Sequence, residues 1–193
     1  MARPQPVPKI SFEEFLKLEA RSEVRHELIA GEIHAMASGS KNHNLIVGNT
    51  YIALRARHDA LGCRVYAENV LLRLNPGDDT FGYYPDVMLV CDPDDAPGES
   101  CVEKPCALIE VLSDTTQHVD RGEKFRDYKT LEPLKIYLLV SQQAVHVTMH
   151  QRANSWQPEV RTRLDDVITF DCVPGTSTAL TLAEIYRGLD FGI

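Results

Sequence analysis

Hydrophobic and polar positions divide the chain into short helices and many strands. Ser11-Phe-Glu-Glu14 has the form of a capping box, and Phe12, Phe15 and Leu16 share a helical face, so a short helix is predicted there. His26–Ala37 reads as a hairpin turning at Ala30-Gly31, with Ile33, Ala35 and Ala37 alternating after the turn. From about Asn42 to Leu61 the pattern is helical, with Leu45, Ile52 and Ala56 as its apolar stripe and Gly62 as its stop. Strands follow at Cys63–Ala67, Val70–Leu74, Asp86–Cys91 and Ala107–Leu112, the last two separated by the acidic loop Asp92–Gly98. Asp120-Arg-Gly-Glu123 predicts the start of a helix that runs to about Leu131, before Pro133. Strands at Lys135–Val140 and Ala144–Met149, weaker ones at Trp156–Arg161 and Val167–Phe170, and a short helix capped at Thr181-Leu-Ala-Glu184 complete the order. That order predicts an α/β domain on a central mixed sheet flanked by helices.

With 193 residues the chain suits one domain (11–193) preceded by an arm (1–10) rich in proline at Pro4, Pro6 and Pro8. Within the domain, a core at about 24–140 is followed by C-terminal strands and a short helix over 141–193. Neither a secretory leader nor an apolar run long enough to cross a bilayer is present, so a cytoplasmic protein with no membrane contact is expected. Five cysteines without regular spacing read as reduced thiols. Cys101 and Cys106 have half the spacing of a zinc site, but no second pair completes it. The net charge of −8 excludes a protein that coats nucleic acid through a broad cationic face. It leaves room for an acidic catalytic site.

Two carboxylates stand out. Asp86 sits at the mouth of the apolar strand Val87-Met-Leu-Val, and Glu110 lies between Ile109 and Val111 within another. A buried unpaired charge is costly, and two carboxylates on neighbouring strands offset that cost by holding a hard divalent cation. Taken singly, each is more often a cap, a turn residue or half of an ion pair; their succession, followed by Asp-Arg-Gly-Glu-Lys124, raises the odds. Other candidates carry less. His146 and His150 share a strand face that is more simply exposed than metal-binding, and Ser113 lacks a nucleophile elbow. No Gly-rich phosphate loop is present. Arg121, Arg126 and Lys129 form either a local cationic rim or a solvated helix face.

As an ordered set, Tyr84-Pro-Asp86, Ile109-Glu-Val-Leu-Ser113, Asp120-Arg-Gly-Glu-Lys124 and Tyr128 resemble the Uma-type restriction endonucleases of bacteria, of the PD-(D/E)XK nuclease superfamily. The resemblance also takes in His26-Glu27-Leu-Ile-Ala-Gly31-Glu32 and His43, and covers about Ser11 to Val140. It implies a restriction-endonuclease-like αβββαβ core, a Mg²⁺ or Mn²⁺ cofactor and DNA as substrate. Asp86 and Glu110 match the motif acids, and Glu27 matches an acidic position that completes the metal shell. Leu112 stands where the motif lysine is usual, and Lys124 looks like its displaced substitute. The text departs from the family after the helix, where Lys135-Ile-Tyr-Leu-Leu-Val-Ser141 replaces the usual Glu-Tyr-Trp and Val-Asp-Pro turn; this bears on loops and a partner surface, not on the metal site. The implied activity is phosphodiester hydrolysis by a Mg²⁺-activated water, and cutting both strands of a duplex favours a homodimer. The rival reading is a nuclease-fold module that binds DNA or a protein without cutting; a third is a hydrolase of small phosphorylated molecules.

Overall fold

The computed structural model describes residues 9–36, 39–75, 79–95, 100–113 and 117–192. The proline-rich arm up to residue 8, the last hairpin residue Ala37 and the end of the acidic loop lie outside the described residues.

Helix α1 (Phe12–Glu19) opens with the capping box of Ser11 and Glu14. Strands β1 (His26–Ile29) and β2 (Glu32–Ala35) form a hairpin whose two central residues, Ala30 and Gly31, have φ of 50° and 88°. Positive φ at both positions matches the twist of the strands. A Cβ on Gly31 would meet the Lys9 side chain at 2.7 Å, so the turn also needs its glycine for space.

Helix α2 (Lys41–His58) is capped by Ser40, whose hydroxyl accepts from the His43 N–H, and Gly62 follows it at φ 75°. Its buried face is Ile46, Val47, Thr50, Ala53, Leu54 and His58. The stripe expected from sequence is wrong: Leu45 and Ile52 are 45% and 65% exposed. Both sets obey helical spacing, and the Ile46 set wins because it combines the fuller apolar face with the sheet beneath.

The remaining elements are β3 (Arg64–Ala67), β4 (Leu71–Leu74), β5 (Phe81–Tyr83), β6 (Val87–Val90), β7 (Cys101–Val102), β8 (Ala107–Leu112), α3 (Gln117–Val119), a π-helical turn (Asp120–Lys124), α4 (Phe125–Tyr128), β9 (Ile136–Ser141), β10 (Val147–Gln151), β11 (Pro158–Arg161), β12 (Val167–Val173), β13 (Thr176–Thr181) and α5 (Leu182–Ile185). A six-stranded sheet in the order β11-β10-β9-β8-β6-β3 is mixed, with β8 and β9 parallel and the other pairs antiparallel. Following α2, its chain order is αβββαβ: α2, β3, β6, β8, the helical segment, β9.

The expected α/β fold on a central mixed sheet is therefore present, with a second sheet added, β2-β1-β5-β4-β7. Alternation along β8 gives the central sheet two packed faces. Ala107, Ile109 and Val111 pack with α2, the β12–β13 hairpin and α5. Leu108 and Leu112 pack with Leu72, Leu74, Tyr83 and Tyr128, on the side of the second sheet. Glu110 shares the parity of Leu108 and Leu112, which is why a carboxylate ends up between two sheets.

Three further expectations are corrected. Asp120 is not an N-cap: Val119 before it is already helical, and the Asp120 side chain turns to Lys124 at 3.5 Å instead of capping. The cysteines are not all reduced: Cys63–Cys91 and Cys106–Cys172 are disulfides, with Cys101 free. The β3–β6 register sets Arg64 across from Val90, and therefore Cys63 across from Cys91, while the C-terminal hairpin brings Cys172 to the start of β8. The support that reduced thiols lent to a cytoplasmic location falls with them. His150 is not on an exposed face; it is buried, hydrogen-bonded to the Trp156 carbonyl and packed on Phe125. Among the described residues no helix is long and apolar enough to cross a membrane.

Candidate active site

Antiparallel pairing of β6 and β8 sets Val87 opposite Ile109, so Asp86 continues the ladder opposite Glu110. The Val111 N–H donates to Asp86 Oδ2 at 2.6 Å, tying the aspartate to the neighbouring strand. The π turn lies over this end of the sheet and carries both Asp120 and Lys124 inward; such turns inside helices recur at functional sites. Lys124 Nζ lies 2.9 Å from Glu27 Oε1 and 3.5 Å from both Glu110 Oε1 and Asp120 Oδ1. Tyr128 donates to Glu110 Oε1 at 2.8 Å, and the Tyr84 N–H donates to Glu27 Oε1 at 3.2 Å. Lys124 and Glu110 are 7% and 3% exposed.

Asp86, Glu110, Lys124 and Glu27, which the sequence places far apart, thus line one cleft of about 630 Å³. Glu27 faces the lysine. Arg121 is exposed, Arg126 pairs with Asp127 at 3.4 Å, and Lys129 lies over the Phe125 ring at 4.6 Å, so these three form a solvated helix face.

Three further residues line the cleft beside the expected catalytic set. His43 Nε2 lies 3.2 Å from Asp86 Oδ1 and 3.9 Å from Glu68 Oε1. Its ring packs so closely on Gly39 that a Cβ there would meet it at 2.8 Å. Glu68 adopts φ 50°, uncommon for a residue with a Cβ, and its N–H donates to the Asp86 carbonyl at 3.1 Å. Asp120 is the third, expected as a helix cap; its spacing of four from Lys124 is the sequence signal that pairs it with the lysine.

The electrostatics are those of a crowded acidic centre. Burial pushes the Glu110 carboxyl well above the usual carboxylate range; Lys124 pulls it back, while Asp86, Asp120 and Glu27 push it further. For Lys124, burial disfavours the ammonium, but Glu110, Glu27 and Asp120 outweigh it and hold the group well above its ordinary range. His43 is likewise raised, since its hydrogen bond to Asp86 and the charges of Asp86 and Glu68 together outweigh its burial. Five carboxylates (Glu27, Glu68, Asp86, Glu110 and Asp120) line the cleft with two permanent cations, Arg25 and Lys124.

That imbalance fits a divalent cation. Among the described residues no three His, Cys, Asp or Glu side chains are gathered as a ready shell. Asp86 and Glu110, on adjacent strands, are the oxygen donors that could hold such an ion.

An αβββαβ order with acids on adjacent strands and a lysine on the following helical segment defines a nuclease-like α/β fold. A solved structure described as a "putative nuclease belonging to DUF820" from Anabaena variabilis has this fold, with a TM-score of 0.71 at 20% identity over 92% of this chain and 97% of that one. The family model "Uma2: Putative restriction endonuclease" matches residues 12–183, and the chain belongs to that family. Two uncharacterized proteins of Synechocystis sp. are similar to it. One, slr1290, is 34% identical over 194 residues, 96% of each chain; the other, sll1609, is 29% identical over 146 residues, 75% of this chain and 81% of its own.

Proposed function

We propose that this chain is a metal-dependent DNA endonuclease of the PD-(D/E)XK type, with Asp86 and Glu110 holding Mg²⁺ or Mn²⁺ and Lys124 acting on the reacting phosphodiester. The observation that carries the reading is the convergence of these three side chains in one buried cleft that carries an excess of carboxylates. When bound, the ion supplies Lewis acidity and a water of lowered pKa.

The chain's own residues do the rest. Val111 N–H and Tyr128 OH fix the orientations of Asp86 and Glu110. Glu27 and Asp120 keep Lys124 charged and aimed into the cleft, so Glu27 acts here as the lysine's anchor in addition to any place in the metal shell. The ammonium then meets the negative charge that develops on the phosphoryl oxygens, in surroundings dry enough for one such group to matter. All of these groups come from one chain, so a single cut needs no second copy.

One observation favours the binding-module reading: Lys124 is already held at 2.9 Å by Glu27 and must share itself with a substrate. Anomalous diffraction from crystals soaked in Mn²⁺ tests the site. The ion is expected within about 2.0–2.6 Å of an oxygen from both Asp86 and Glu110. Its absence there at saturating Mn²⁺, or binding elsewhere alone, overturns the assignment.

A further inference from the structure

The groups that act on the phosphodiester lie at the bottom of the cleft. Glu110 and Lys124 are nearly inaccessible, so the reacting group has to descend to them. At about 630 Å³ the cleft has the capacity of a small-molecule site, which spans roughly 300–1,000 Å³. That is room for a nucleotide or two, not for a segment of double helix.

The lining is mixed in character: beside the acids, Val24, Ile29 and Met36, from β1 and its flanks and the residue after β2, line the cleft with Tyr84. Val24 is 57% exposed, and the Arg25 guanidinium lies over the Tyr84 ring at 5.5 Å. The exposed Val24 side chain and the Arg25 guanidinium plane offer a surface to a nucleobase face. A duplex hides those faces in its stack, whereas an unpaired strand presents them.

Charge points the same way. Gripping a duplex rests on many phosphate contacts, and the chain carries a net charge of −8. Inside the cleft Lys124 and His43 are already engaged by carboxylates, and the half-exposed Arg25 lies 3.5 Å from Glu19, so the cleft's cations are largely committed to acids of the chain itself.

We propose that the substrate class is single-stranded DNA, including an unpaired arm of a branched duplex, entering the cleft with a base against the surface of Val24 and Arg25. This rests on the nuclease reading for its chemistry but not for its binding geometry, and the two are tested separately. Fluorescence anisotropy with wild-type protein in chelator compares a labelled single strand with its blunt duplex at matched ionic strength. The single strand is expected to bind about tenfold tighter or better, roughly the worth of one stacked base. Val24→Ser, an uncharged change at an exposed position, is expected to remove most of that preference. Equal or tighter duplex binding, no binding of either DNA, or a preference untouched by Val24→Ser overturns the proposal. Cleavage in Mn²⁺ is then followed on the same two DNAs. Preferential strand binding without any cutting sinks the nuclease reading and leaves the strand preference standing. Equal cutting of both DNAs does the reverse.

Discussion

Replacing Lys124 with Met keeps most of the stem and removes a permanent cation that lies within 3.5 Å of Glu27, Glu110 and Asp120. Tyr128 OH and the Tyr84 N–H remain as donors, and neither carries charge. Removing one partner from a buried ion pair costs about 3–5 kcal/mol because the other is left uncompensated. In a chain of this length that is a fall in melting temperature on the order of 10 °C. The deficit has a pH signature. Glu110 already has a raised folded-state pKa, and losing Lys124 raises it further. A carboxyl whose folded pKa exceeds its unfolded value is harmless below the unfolded pKa, where both states hold the proton. It destabilises progressively as pH rises toward the folded value. Urea titrations at acidic and alkaline pH should therefore show Lys124→Met closest to wild type in acid, with Mn²⁺ recovering part of the loss. At saturating Mn²⁺ the cleavage rate should fall about 10²–10³-fold, the usual loss for one electrostatic group. A variant as stable as wild type at alkaline pH that also cuts at the wild-type rate refutes both halves of the argument. A stability loss with an unchanged rate confines the lysine to holding the site together.

Asp86→Asn should weaken Mn²⁺ binding in calorimetry by at least about tenfold, since it removes a charged ligand; unchanged affinity would take Asp86 out of the metal site. His58 is buried, with its ring bonded to the Leu54 carbonyl and the Thr178 hydroxyl, and burial lowers its pKa. Its neutral form is the one that folds, so this residue's contribution is complete above about pH 6.5 and declines as pH falls through that value. His58→Gln should flatten the stability profile there, and an identical slope in wild type and variant would show that another group is responsible. The Cys106–Cys172 bridge ties β12 to the start of β8 across 66 residues, for which chain entropy gives about 4 kcal/mol. Cys106→Ser together with Cys172→Ser, which leaves Cys63–Cys91 intact, should lower the urea midpoint accordingly; no shift would mean that the bridge contributes nothing to stability.

The legible parts of this molecule were those in which one strand carries its own signal. Glu110 could be found because it interrupts an apolar run, and Asp86 because it opens one; strand pairing then had little choice but to bring them together. Lys124 drew attention through its place on the helical segment after the Glu110 strand, and the family resemblance then gave it a role. Asp120 was misread because four of the five residues that form the π turn also spell a capping box. Only tertiary packing decides that the carboxylate faces a lysine and not its own backbone. Glu68 sits in a turn, where an acid is unremarkable until its neighbours are known. The second sheet was partly hidden because β5 and β7 have three and two residues, too few for a period to show. β13 reads Thr-Ser-Thr-Ala-Leu-Thr, polar enough to pass for loop. The disulfides depend on register and on a hairpin folding back from the far end of the chain, neither of which is visible in cysteine spacing.

The central claim is that Asp86, Glu110 and Lys124 cut DNA with the help of a divalent ion. The most direct measurement is cleavage of labelled DNA, single-stranded and duplex, by wild type and Glu110→Gln, in Mn²⁺ and in chelator. Wild type should cut only with Mn²⁺, and Glu110→Gln should be slower by about 10²-fold or more while keeping a cooperative unfolding transition. Cutting that survives chelation, a Glu110→Gln protein as fast as wild type, or wild type that binds Mn²⁺ at this site and cuts neither DNA would contradict the account.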